Sequence, residues 1–119
     1  MRGVCGKQWV IEADGSVYPC DFYALDQWLL GNINEDSFET MDLKREELGF
    51  IRWSMKTHED CKNCTWYPLC RGGCRRNREP VTKDSTGKNY FCDAYKGFFE
   101  YAYPRLKEVY RNIRMGMRG

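Results

Sequence analysis

Three features of the 119-residue sequence predict a small α+β domain stabilised in part by metal. An Asp-Gly pair separates two short β-prone runs near the N-terminus. Five of the seven cysteines crowd into residues 57–92, and an apolar stripe of helical period runs along the C-terminal part of the chain. A chain of this length fits one domain, spanning residues 1–119, and can bury well over half of its unfolded surface without help.

The first element is a β-hairpin. Trp9-Val10-Ile11-Glu12-Ala13 and Ser16-Val17-Tyr18-Pro19-Cys20 flank Asp14-Gly15, and a type I′ turn wants positive φ at both central residues, which Asp-Gly supplies. Such a hairpin brings Cys5 and Cys20 toward one end of the same unit. The stretch from Phe22 to Ile33 is mixed and apolar, with Gly31-Asn32 expected as a turn. From about Asp42 to Lys56 the spacing of Leu48, Ile51 and Met55 predicts a helix that Asp42 could cap. Residues 57–92 hold five cysteines, two prolines and three glycines, and no helical or strand period survives there. They read as cysteine-rich loops wrapped around metal. Beyond Ala94 the positions of Tyr95, Phe98, Phe99, Ala102, Leu106, Val109, Tyr110 and Ile113 trace one face of an amphipathic C-terminal helix, expected to pack on the core. Pro104 must kink that helix or divide it, because it has no N–H to donate.

Composition narrows the function classes. The formal net charge is only +2, which argues against nucleic acid as a partner. That figure treats cysteines as neutral, and metal-bound thiolates would move the balance to the acidic side. Mean hydropathy is −0.73 and no stretch approaches the apolar length that crosses a bilayer, so no membrane partner is expected. Met1-Arg2-Gly3-Val4-Cys5 lacks the apolar run of a secretory signal. The chain is therefore expected in the cytoplasm, where thiols stay reduced. Seven is also an odd number, so the cysteines cannot all pair as disulfides within one chain.

The cysteines follow a definite order: Cys5, nine residues, Gly15, four residues, Cys20; then Cys61-x2-Cys64-x5-Cys70-x3-Cys74; then Cys92. Two residues between Cys61 and Cys64 is the spacing at which one turn aims both sulfurs at a metal or cluster. Cys70 and Cys74 bracket Arg71-Gly72-Gly73, and a loop folded tightly around a cluster needs the backbone angles that glycine permits. Backbone N–H groups in such a loop can also hydrogen-bond the sulfurs. Four cysteines alone suggest zinc as readily as iron–sulfur.

The seven-cysteine pattern as a whole resembles the SPASM signature, the auxiliary-cluster domain of radical S-adenosylmethionine (radical SAM) enzymes. Flanking residues resemble the anaerobic sulfatase-maturating members in particular. These are Cys5-Gly6-Lys7-Gln8, the run from Glu12 to Tyr23, Leu30-Gly31-Asn32-Ile33, Cys70-Arg71-Gly72-Gly73-Cys74-Arg75, and Tyr90-Phe91-Cys92-Asp93-Ala94-Tyr95-Lys96. The resemblance covers nearly the whole chain, about the C-terminal third of such an enzyme. It implies two 4Fe–4S clusters. Cys61, Cys64, Cys70 and Cys92 would hold one of them. Cys5, Cys20 and Cys74 would give three ligands of the other, whose fourth family ligand falls just upstream of the position matching Cys5. It further implies electron transfer, a sulfatase or other peptide as substrate, and a radical SAM barrel as partner. The Cys-x3-Cys-x2-Cys motif that binds S-adenosylmethionine does not occur in these 119 residues. The chain by itself is therefore expected to be inactive.

Asp21 falls where the maturases carry an aspartate proposed as general base, acting on the substrate Cys or Ser as it becomes formylglycine. A solvated acid after a strand end is the plainer reading. Arg71, Arg75, Arg76 and Arg78 stand among the cysteines, where guanidinium groups would offset the negative charge of a thiolate-ligated cluster. His58, the one histidine, is expected as a surface or capping residue. Two rival readings stay open: a SPASM domain serving a different peptide-modifying enzyme, and a zinc-binding interaction module using Cys61, Cys64, Cys70 and Cys92.

Overall fold

The computed structural model describes residues 2–116. Contacts group the chain into two compact units, one running to Asn89 and the other from Tyr90 onward.

The first unit begins with a three-stranded antiparallel meander of β1 (Val10–Ile11), β2 (Ser16–Tyr18) and β3 (Gly31–Asn32), in that spatial order. Val10 pairs with Tyr18 and Ile11 with Val17; on the other edge Ser16 pairs with Asn32 and Val17 with Gly31. The period of the central strand places Val17 inward and fully buried, where it packs with Leu30 and Met41 and against Trp9 and Leu48. The hairpin is thus where the sequence predicts it, but its turn is not type I′. Gly15 has φ +89°, whereas Asp14 does not have positive φ. Gly15 N–H bonds to Glu12 O and Glu12 N–H to Ser16 O, each at 2.9 Å, so three residues form the connection. The Asp14 carboxylate stabilises it by accepting from Ser16 N–H at 2.9 Å.

Gly31-Asn32 is a strand rather than a turn. Its backbone completes the sheet, and the reversal comes one step later, where Asp36 N–H bonds Asn32 O and the Asp36 carboxylate accepts Asn32 N–H, both at 2.8 Å.

The single helix expected from Asp42 to Lys56 is two helices, α1 (Phe38–Glu47) and α2 (Phe50–Ser54). Ser37, not Asp42, caps α1 by accepting Thr40 N–H at 3.1 Å. Asp42 lies inside α1, where it pairs with Lys7 at 2.9 Å and with the buried Arg45. Gly49, at φ +68°, separates the helices, and a Cβ there would stand 2.2 Å from the Trp53 indole. The apolar period therefore continues through a break in the backbone.

Residues 57–89 contain more local order than loops alone. A tight turn covers Glu59–Cys61, α3 covers Tyr67–Cys70, and a second tight turn covers Arg75–Arg78. His58 caps the first turn, its Nδ1 accepting Asp60 N–H at 3.1 Å.

The second unit is one continuous helix, α4 (Cys92–Arg114), with Pro104 inside it. Pro104 does not divide it. Phe99 is buried, but Phe98 is 56% exposed, Tyr110 60% and Ile113 70%. Helical spacing places these residues on one face; it does not say what covers that face. No described helix is long and apolar enough to cross a membrane.

Candidate functional site

All seven cysteines are partly buried. Three of them line one cavity of about 460 Å³: Cys5 on the N-terminal segment, Cys20 after β2, and Cys74 before the Arg75–Arg78 turn. Each is brought there by a different local device. The hairpin delivers Cys20. Cys5 is held by its own N–H, which donates to Ser54 Oγ at 2.8 Å, while Ser54 Oγ in turn donates to Ile51 O at 2.5 Å. One residue back from Val4, the Gly3 carbonyl accepts from Arg78 Nη2 at 3.0 Å. Arg78 also donates to Ser54 O at 3.0 Å and Lys56 O at 3.1 Å, so one buried guanidinium ties the N-terminal segment to the end of α2.

Electrostatics are consistent with thiols that sense one another. Burial pushes the Cys5 thiol above its usual pKa, opposed by its hydrogen bond with Ser54 and by the positive charge of Arg75, and reinforced by Cys74. Burial likewise raises Cys20, with further upward pushes from Asp21 and Cys5. Without a metal these are protonated thiols. A bound cation reverses that balance, because it favours the thiolate outright.

Asp21 is exposed, opens the turn Asp21–Tyr23, and lines the same cavity. Its Oδ1 accepts from Cys20 Sγ at 3.4 Å.

The second group of cysteines is stepped along successive turns. Cys64 N–H bonds Cys61 O at 3.3 Å, Tyr67 N–H bonds Cys64 O at 3.1 Å, and Gly73 N–H bonds Cys70 O at 2.9 Å. Arg71, Gly72 and Gly73 follow with φ of +53°, +81° and +71°. This left-handed run separates Cys70 from Cys74, and Asn89 Nδ2 fixes it by donating to Gly72 O at 3.0 Å. Cys61 borders a separate cavity of about 30 Å³ with His58, Tyr67 and Arg71. Cys92, the remaining predicted ligand, is the first residue of α4.

The donor set fits an iron–sulfur group. The donors are thiols, three of them lining one cavity of about 460 Å³, and thiolate ligation is what such clusters take. Among the described residues no three His, Cys, Asp or Glu side chains stand close enough to hold a single metal ion.

The four arginines separate into distinct roles. Arg71 and Arg76 are exposed, whereas Arg75 and Arg78 are buried. Ser54 is a support of the site that sequence reasoning missed, and Arg78, expected there as a charge, acts as a brace. Arg78 carried a weak signal, its place in the arginine run; Ser54 carried none.

The family model of the SPASM domain, described as an iron–sulfur cluster-binding domain, matches residues 4–65. The chain is 50% identical over 114 residues to a cysteine-type anaerobic sulfatase-maturating enzyme of Clostridium perfringens, a match covering 96% of this chain and 31% of that enzyme. A solved structure of native anSMEcpe with bound AdoMet superposes with a TM-score of 0.84 at 52% identity, covering 95% of this chain and 31% of that one. The form with bound AdoMet and Kp18Cys peptide gives 0.82 at 52% identity, covering 94% and 31%. The chain thus spans about a third of the length of each relative.

Proposed function

Because the chain belongs to the SPASM family of iron–sulfur cluster-binding domains, we propose that it is the auxiliary-cluster region of a radical SAM enzyme that matures sulfatases. The reaction is the oxidation of a Cys or Ser in the sulfatase peptide to formylglycine. The observation that carries this reading is the meeting of Cys5, Cys20, Cys74 and Asp21 at one cavity.

Cys5, Cys20 and Cys74 supply three thiolates to one 4Fe–4S cluster. Cys61, Cys64 and Cys70, with Cys92 by its place in the signature, supply four to another. Bound there, such clusters provide one-electron transfer at a potential set by their ligands and surroundings. Asp21 takes the proton of the substrate thiol or hydroxyl. In the free chain its Oδ1 receives the Cys20 S–H; once Cys20 is a thiolate ligand that donation ends, leaving the oxygen open to the substrate's proton. Its exposure on the cavity rim allows a peptide to reach it. S-adenosylmethionine and its own cluster belong to the barrel partner, because the binding motif for them is not among these residues.

Iron, zinc and acid-labile sulfide per chain, measured in protein purified without oxygen, test the reading. Iron and sulfide in equal amounts, near one or two cubane equivalents, support it. Stoichiometric zinc without sulfide, persisting through anaerobic reconstitution, overturns it.

A further inference from the structure

We infer that Arg75 sets the reduction potential of the group held by Cys5, Cys20 and Cys74, by presenting a buried, incompletely compensated guanidinium to it. This rests on the cluster reading of that cavity. The observation behind it is the placement of Arg75, whose side chain has no solvent exposure and which lines the cavity with the three cysteines.

The surroundings of Arg75 differ from those of its neighbours in the sequence. Arg78 spends its terminal nitrogens on the carbonyls of Gly3, Ser54 and Lys56. Arg75 makes one hydrogen bond, from Nη1 to Phe50 O at 2.6 Å. Its Nε faces Glu79 Oε1 at 3.7 Å, an ion pair without a hydrogen bond, and Nη2 has no hydrogen-bond partner among the described residues. The rings of Tyr23, Trp28 and Phe50 surround it at 5.2, 4.6 and 5.0 Å. An aromatic cage holds a cation without neutralising it. Among the described residues the ion pair of Arg75 is with Glu79, which is a third exposed and also accepts Tyr23 O–H at 2.6 Å and Val81 N–H at 2.6 Å.

Nε and Nη2 are shut off from solvent, so the guanidinium acts on the cavity through its charge. The sign of the effect follows from charge. Reduction adds one electron to the core, from the 2+ to the 1+ state, with no bond broken and no proton moved. A fixed positive charge in a dry cage stabilises the more negative product over the reactant, so Arg75 raises the potential.

The test is a potentiometric titration of the 119-residue chain, loaded anaerobically with iron and sulfide, reduced by dithionite through mediators and followed by electron paramagnetic resonance. The relevant wave is the one lost in Cys20→Ala. Arg75→Gln is expected to move that wave down by at least a tenfold change in the oxidised-to-reduced ratio, about 59 mV for one electron. Glu79→Gln removes the counter-charge and leaves the guanidinium caged, so it is expected to move the same wave up. Opposite shifts distinguish a field effect from loosened packing, which would move both variants the same way and overturn the inference, as would no shift in either. If Arg75→Gln loses its iron, Glu79→Gln decides alone: an upward shift supports the inference and an unmoved wave overturns it. A wild-type chain in which no wave depends on Cys20 fails the cluster reading itself, and the inference falls with it.

Discussion

Ser54 shows how one small side chain can hold a cysteine in place. Its hydroxyl is buried, receives Cys5 N–H, and passes its own proton to Ile51 O. Ser54→Ala leaves the Cys5 N–H without that acceptor, at a cost of about 1–3 kcal/mol for a buried unsatisfied group. The denaturant midpoint is expected to fall accordingly, and iron retention with it. Tyr23 gives a prediction in pH. Burial, and then its hydrogen bond to Glu79, raise the phenol well above its ordinary pKa. A tyrosine raised in the folded state contributes stability that is fully present below the unfolded value, near about 10, and is lost as pH rises toward the folded value. Denaturation midpoints between pH 9 and 12, as an order of range about that value, are expected to fall more steeply in the wild type than in Tyr23→Phe. Equal slopes would mean that the phenol titrates normally.

At the scale of elements, the legible features were those carried by neighbours in sequence. Asp14-Gly15 announces the hairpin, and the stripe from Tyr95 to Ile113 announces α4. Turn type was not legible, because the choice depends on how Glu12 and Ser16 pair. Nor was the end of α1. Leu48, Ile51 and Met55 keep helical spacing across Gly49, and only the contact with the Trp53 ring shows why the backbone breaks there. Gly49→Ala tests that break. A left-handed φ costs an L-residue about 1–2 kcal/mol, and the methyl would also displace the indole, so a loss beyond that range is expected in equilibrium unfolding. A neutral result would show that α1 and α2 can join into one helix. The cage around Arg75 was illegible for another reason. Tyr23, Trp28 and Phe50 come from three elements, and their meeting is a product of the fold.

At the scale of the molecule, the cysteine pattern in the sequence marked the candidate donors, and the structure gathers three of them around one cavity. Cys70 and Cys74 are four positions apart, yet Cys74 joins Cys5 and Cys20 while Cys61 borders a different cavity. The left-handed run at Arg71, Gly72 and Gly73 turns the chain between them, so the two thiol sets are interleaved in sequence, and Gly3 and Val4 border both cavities. Ser54 and Arg78 brace the first set. The turn bonds from Cys61 to Cys64 and from Cys64 to Tyr67 brace the second. Hydrogen bonds particular to each set predict separate loading. Cys20→Ala is expected to lose one cluster's worth of iron and sulfide and keep the rest, Cys64→Ala to lose the other and disorder the loop around it, and the double variant to lose both. Iron and sulfide analysis of the three variants checks this, with amide exchange across residues 57–89 reporting on the loop. Complete loss from either single variant would instead mean that the 71–73 turn couples the two sites into one folding unit.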